Sequence, residues 1–129
     1  MGNLQDTDKT SAAVATEPRV SLADIEAAIA EKWFFSALEA VATNHALALP
    51  DSQLRQLSVM TICLLLLKNG FIVIGKSAPA HPDNFHADVG QKFAYEDAVR
   101  HIWPLMGFNL RQQLHDATTK CLQPQERTP

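Results

Sequence analysis

Five residues in the second half of this chain are of the types that bind anions. Lys76 and Ser77 stand before a short loop, and Asn84 follows it, with Tyr95 and Arg100 behind. A lysine and the free amides at a helix start together attract a phosphate, so Lys76, Ser77, Asn84, Tyr95 and Arg100 form a candidate anion-binding site. Tyr95 and Arg100 contribute only if the fold turns them inward. The plainer reading is structural, with Asn84 as a helix cap and Lys76 laying its stem along a sheet edge.

Other chemistry-bearing residues make weaker sets. His81, His86, Asp88 and His101 are metal-ligand types, but their spacing matches no pattern of three or four converging zinc ligands. Scattered surface histidines are the expectation, with no metal and no cofactor. Glu96 and Asp97 are adjacent, so on a helix they point about 100° apart and cannot share a substrate. A solvated helix face is expected for them. Cys63 lies in an apolar run, where a thiol has neither the exposure nor the base that a nucleophile needs. No catalytic residue is therefore assigned. Trp103, with Ile102, Leu105 and Met106 around it, reads as a core anchor.

These side chains must be held by a small scaffold. The chain has 129 residues, room for one domain with a core. A net charge of −3 argues against a nucleic-acid binder that works by phosphate neutralisation. The longest apolar run, Ile62 to Leu67, is too short to span a bilayer. Two cysteines make no disulfide framework, and residues 1–17 carry no apolar leader core, so a cytoplasmic protein is expected.

Residues 1–18 are polar and aperiodic and read as a disordered arm, with 19–115 as a single α+β domain and 116–129 as a flexible tail. Ser21 with Asp24 approximates a capping box, and Leu22, Ile25, Ile29 and Trp33 recur at helical spacing, predicting a helix over about 21–32. Residues 33–42 fit helix or strand equally. Thr43 to Gln56 reads as a long connection.

A β-hairpin of about 57–68 and 71–77 is the centre of the predicted sheet. Asn69-Gly70 is the preferred pair for a two-residue type I′ turn. That turn sets Leu67 opposite Ile72, Leu65 opposite Ile74 and Leu64 opposite Gly75. Both faces of the hairpin are then apolar, where a solvated hairpin shows one polar face. Either helices sandwich the sheet or another subunit covers it. Gly75 and Gly90 mark places of close packing. A helix is predicted over about 84–102, with Phe85, Val89 and Phe93 on one arc and Ala94, Ala98, Val99 and Ile102 on another. Trp103-Pro104 ends or kinks it, and a last helix covers about 105–115.

The ordered set Leu67-Lys68-Asn69-Gly70-Phe71, Gly75-x-Ser77-Ala78, Asn84-Phe85, Gly90, Ala94-Tyr95-Glu96-Asp97-Ala98 and Ile102-Trp103-Pro104-Leu105 resembles a family of small tailed-phage and prophage proteins, the gene-product forty-nine family. Pro18-Arg19-Val20-Ser21-Leu22 resembles the start of its longer members. The family usually has an acidic residue where this chain has Lys76, and an arginine at Gln91. The resemblance implies a phage origin and the cytoplasm of a bacterial host, and it brings no activity with it. The expected function is non-catalytic: a homo-oligomeric accessory protein that binds a host protein or a nucleotide signal. The alternative is an assembly protein whose apolar hairpin faces oligomerise, and an enzyme ranks last.

Overall fold

The computed structural model describes residues 3–44 and 49–122. In chain order these form α1 (Leu4–Val14), α2 (Leu22–Ala28), β1 (Ile29–Ser36), α3 (Ala37–Asn44), α4 (Asp51–Ser58), β2 (Thr61–Leu67), β3 (Ile72–Ser77) and α5 (Ala87–Leu122), with a 3-10 turn at Pro82–Asn84. The strands make one antiparallel sheet in the order β1-β2-β3. This is the expected small α+β fold.

The expected capping box is present. The Ser21 hydroxyl accepts from the Asp24 amide (3.1 Å), and the Ser21 amide donates to the Asp24 carboxylate (2.9 Å). The helix stops at Ala28, however, and not near Lys32. The aromatic run Trp33-Phe34-Phe35 suits a strand, and pairing with β2 overrides the helical spacing from Ile29 on. The ambiguous stretch 33–42 therefore divides after Ser36. Ser36 and Glu39 bond each other's amides and side chains, a second capping box that starts α3. Of the long connection expected over Thr43 to Gln56, residues 45–48 lie outside the described residues and the second half holds α4. That helix runs on to Ser58, so the strand expected from about 57 starts at Thr61.

The hairpin turn differs from the expected one. The Leu67 amide donates to Phe71 O and the Gly70 amide to Leu67 O, both at 2.9 Å. Lys68, Asn69 and Gly70 thus form a three-residue loop. Gly70 alone among the described residues has positive φ (+91°), which fits a type I turn closed by a glycine bulge. Asn69 serves through its side chain, whose Oδ1 accepts from the Phe71 amide (3.0 Å). The extra loop residue slips the register by one: Leu66 faces Ile72, Leu65 faces Val73 and Cys63 faces Gly75. A one-residue slip turns every side chain of one strand over relative to the other. Val73 and Gly75, not Ile72 and Ile74, consequently join Cys63, Leu65 and Leu67 on the inner face.

That inner face is where the core sits. Cys63, Leu65, Leu67 and Val73 meet Ala94, Ala98, Val99 and Ile102 of α5, Leu22 and Ile25 of α2, and Leu4 of α1. Gly75 lies directly under Ala94 and Ala98, the close helix approach its position suggested. Gly90 packs on Thr61, whose hydroxyl lies where a side chain on residue 90 would begin. The expected Phe85–Val89–Phe93 arc is broken, because Phe85 lies before α5 begins, and Val89 and Phe93 are exposed on the helix.

Two further expectations are corrected. Trp103-Pro104 does not end the helix: α5 runs continuously through Pro104, replacing the two helices expected over 84–102 and 105–115. Ile102 is fully buried, and the Trp103 indole Nε1 donates to Val20 O at 3.1 Å, so the helix is pinned just before the proline. Pro104 itself is exposed, which leaves the ring room and lets water reach the carbonyl it cannot bond. Residues 116–122 of the expected tail continue α5, and 123–129 lie outside the described residues.

The N-terminal arm, expected to be disordered, holds α1. Asn3 caps it by accepting from the Asp6 amide (2.7 Å), and Leu4 is buried in the core. Asp8 binds Arg19 (2.8 Å) and accepts from the Leu22 amide (3.0 Å). One apolar anchor and one ion pair are too sparse to register as periodicity. The Arg19 bond holds the Asp8 carboxyl below its usual range. A depressed carboxyl pKa stabilises the folded state above the unfolded value, and the benefit disappears as pH falls through the folded value. The protection factors of the α1 amides, which remove the intrinsic slowing of exchange at acid pH, are therefore expected to fall on acidification, and Asp8→Asn should show the low protection already at neutral pH. Among the described residues no helix is long and apolar enough to cross a membrane.

Candidate functional site

With α5 and α2 on the inner face, no helix among the described residues lies over the outer face of the sheet. Strand pairing arranges it as three rows. Glu31, Leu66 and Ile72 form one row, Trp33, Leu64 and Ile74 the next, and Phe35, Ile62 and Lys76 the third. Side chains paired across an antiparallel sheet share a face, so seven apolar residues stand together here. Trp33 is 50% exposed, Ile72 62% and Ile74 56%. Glu31 and Lys76 occupy diagonally opposite corners. The slipped register makes this face, because it places both isoleucines of β3 outward.

The candidate anion site is brought together only in part. Lys76, Ser77 and Arg100 line a cleft of about 430 Å³ with Met60, Phe93 and Asp97. The Asp97 carboxylate accepts from the Lys76 backbone amide at 3.0 Å, closing the exposed edge of β3. It also lies 3.8 Å from the His101 ring. Asn84 and Tyr95 are placed elsewhere. Asn84 ends the 3-10 turn, which the Arg55–Asp83 ion pair ties to α4, and α5 starts three residues later at Ala87. Asn84 therefore does not cap α5. Tyr95 lies beside β1, where the Lys32 ammonium stands 5.1 Å from its ring centre. Burial, with Glu26 nearby, raises its phenol pKa.

The remaining candidates fall to structure. Burial pushes the Cys63 thiol up to about 11, with Lys32 offsetting part of the rise, so the thiolate that reacts is scarce. His81 accepts from the Asp83 amide at 3.1 Å, a local capping role. Among the described residues no three His, Cys, Asp or Glu side chains converge on a metal position. Glu96 is not on a solvated face as expected, being 7% exposed, and its neighbour Asp97 is bound to β3. Trp103 is the expected anchor, packed on the core and bonded to Val20.

Sequence reasoning passed over the outer-face residues of β1. Two signals pointed to them: the alternation Glu31, Trp33, Phe35, and the Ser36-x-x-Glu39 cap that ends the strand.

A search of the curated proteins finds no match, and neither does a search of the solved structures. A family model described as the phage protein (N4 Gp49/phage Sf6 gene 66) family matches residues 20–114, which takes in the whole sheet, α2 to α4 and α5 up to its last turns, with α1 outside the match. The chain belongs to this family of phage proteins.

Proposed function

We propose that this chain is a non-catalytic phage accessory protein that acts by binding, and that the outer face of its sheet is the binding surface. One observation carries the reading: seven apolar side chains form one continuous face, with Trp33, Ile72 and Ile74 half-exposed or more. Fully burying a large apolar side chain is worth about 1.5–3 kcal/mol, so covering three half-exposed ones recovers on the order of 3 kcal/mol. Contiguous exposed apolar surface on a small domain marks an interaction site more often than it marks nothing. The role such binding serves is antagonism of a host defence, through a host protein or a nucleotide signal, by analogy with the size and origin of the chain.

The test is Ile74→Glu, compared with wild type after recovery from phage-infected cells under native conditions. Ile74 is exposed, so the variant should fold, and its native mass spectrum should show the complexes of the wild type lost. Identical complexes for both proteins would refute the reading. A nucleotide signal has a second place to bind, the cleft of Lys76, Ser77 and Arg100. Binding there should raise the melting temperature with some member of a nucleotide panel, and Arg100→Glu should remove the rise. A panel without effect excludes that arm.

A further inference from the structure

We infer that the occupant of the outer face is a second copy of this chain, docked about a two-fold axis that sets Glu31 of each copy against Lys76 of the other. This rests on the surface reading of the proposed function, puts a second copy on that face in place of a host protein, and leaves the cleft of Ser77 and Arg100 as the place for a nucleotide signal.

A two-fold interface brings one patch onto itself, so the patch must complement its own image. The three rows of the outer face leave few choices of axis. An axis along the strands sets Glu31 on Ile72, and one across the strands sets it on Phe35; each buries an unpaired charge, which is costly. The diagonal axis through Glu31 and Lys76 stacks each charge on its own kind. The other diagonal, through Phe35 and Ile72, sets Glu31 on Lys76 at both ends of the interface. It also sets Trp33 on Ile62, Ile74 on Leu66 and Leu64 on Leu64. Every apolar residue then meets an apolar residue and both charges are paired. Strands of the two copies cross steeply, the orthogonal class of sheet packing, with the sheets about 10 Å apart.

The two charges are available for this use. The ion pairs among the described residues join Asp8 to Arg19, Arg55 and His81 to Asp83, and His101 to Asp97; none involves Glu31 or Lys76. Size sets the strength. Three strands at about 4.8 Å spacing and six or seven residues of about 3.4 Å rise give a footprint of roughly 300 Å². That is well under the ~800 Å² per partner of a standard stable interface. The dimer is accordingly weak and transient, forming only as concentration rises.

The experiment is sedimentation equilibrium of the purified full chain, from low micromolar to near-millimolar concentration, on wild type, Glu31→Lys, Lys76→Glu and the double reversal. Both positions are exposed, and melting curves at low concentration check that each variant folds. Wild type should pass from monomer to dimer over the range. Each single reversal should weaken the dimer about tenfold or more, and the double reversal should return it to within a few-fold of wild type. Wild type that stays monomeric, or a double reversal no tighter than the singles, overturns the inference. The two levels separate cleanly. A pure chain that stays monomeric while Ile74→Glu still strips its complexes from cells removes the second copy and keeps the surface. If Ile74→Glu changes neither, the surface reading falls as well.

Discussion

Replacing Gly75 by alanine is expected to destabilise the fold by about 3 kcal/mol and to lower the melting temperature by roughly 15 °C. An added Cβ would stand 2.1 Å from the Ala94 carbonyl oxygen, 2.4 Å from the Ala98 amide nitrogen and 2.7 Å from the Ala98 Cβ. Two of these are backbone atoms of α5, so no side chain can swing aside. The helix must lift from β3, and the contacts of Val73, Val99 and Ile102 loosen together. Gly107 is the control. A Cβ there meets nothing within 4 Å, so Gly107→Ala should be neutral or gain up to about 1 kcal/mol of helix propensity. The pair also decides the hairpin register. With a two-residue turn, Gly75 would face outward beside Leu64 and tolerate alanine. A Gly75→Ala melt within a degree or two of wild type would contradict the observed pairing.

The second large effect separates the two faces of the central strand. Leu65 is fully buried, and Leu65→Ala should cost about 2–5 kcal/mol, the range for cavities left by a deleted leucine. Leu64, its neighbour, points to the outer face and keeps part of its surface in water. Leu64→Ala should cost the isolated chain about 1 kcal/mol, because less surface returns to solvent. Urea titration of both variants at low concentration measures the difference. Equal losses would mean that the outer face is covered within the chain itself, leaving no open surface for a partner.

Much of the fold was legible in the sequence because several signals are local. The Ser21–Asp24 box, the hairpin around Asn69-Gly70, the inert Cys63 and the anchoring Trp103 each follow from one residue and its near neighbours. What escaped depended on contacts distant in sequence. Ile29 to Phe35 has helical spacing, and only pairing with β2 makes it a strand. Asn-Gly permits both a two-residue and a three-residue loop. The choice falls to α5, which needs Gly75, and not a larger residue, beneath Ala94 and Ala98. Pro104 is a local helix breaker, overruled because Ile102 and Trp103 are already fixed to the core and to Val20. The anion site failed in part for the same reason. Lys76 and Arg100 line one cleft at the sheet edge, but helix rotation carries Tyr95 towards Lys32, and an extra turn takes Asn84 off the helix start.

The expectation that both hairpin faces are apolar survives the corrected register, though the residues on them change. The helices cover one face, and the other remains open to a partner. That face holds Trp33, one of two tryptophans in the chain, and Trp103→Phe would leave it as the sole reporter. Acrylamide quenching of Trp33 across a concentration series therefore reads the covering of this face itself. Easy quenching is expected at high dilution, then a several-fold loss of quenching and a blue shift as the chain associates. Trp33 equally open to quencher at every concentration, while the measured mass rises, would place the contact elsewhere and contradict an outer-face interface.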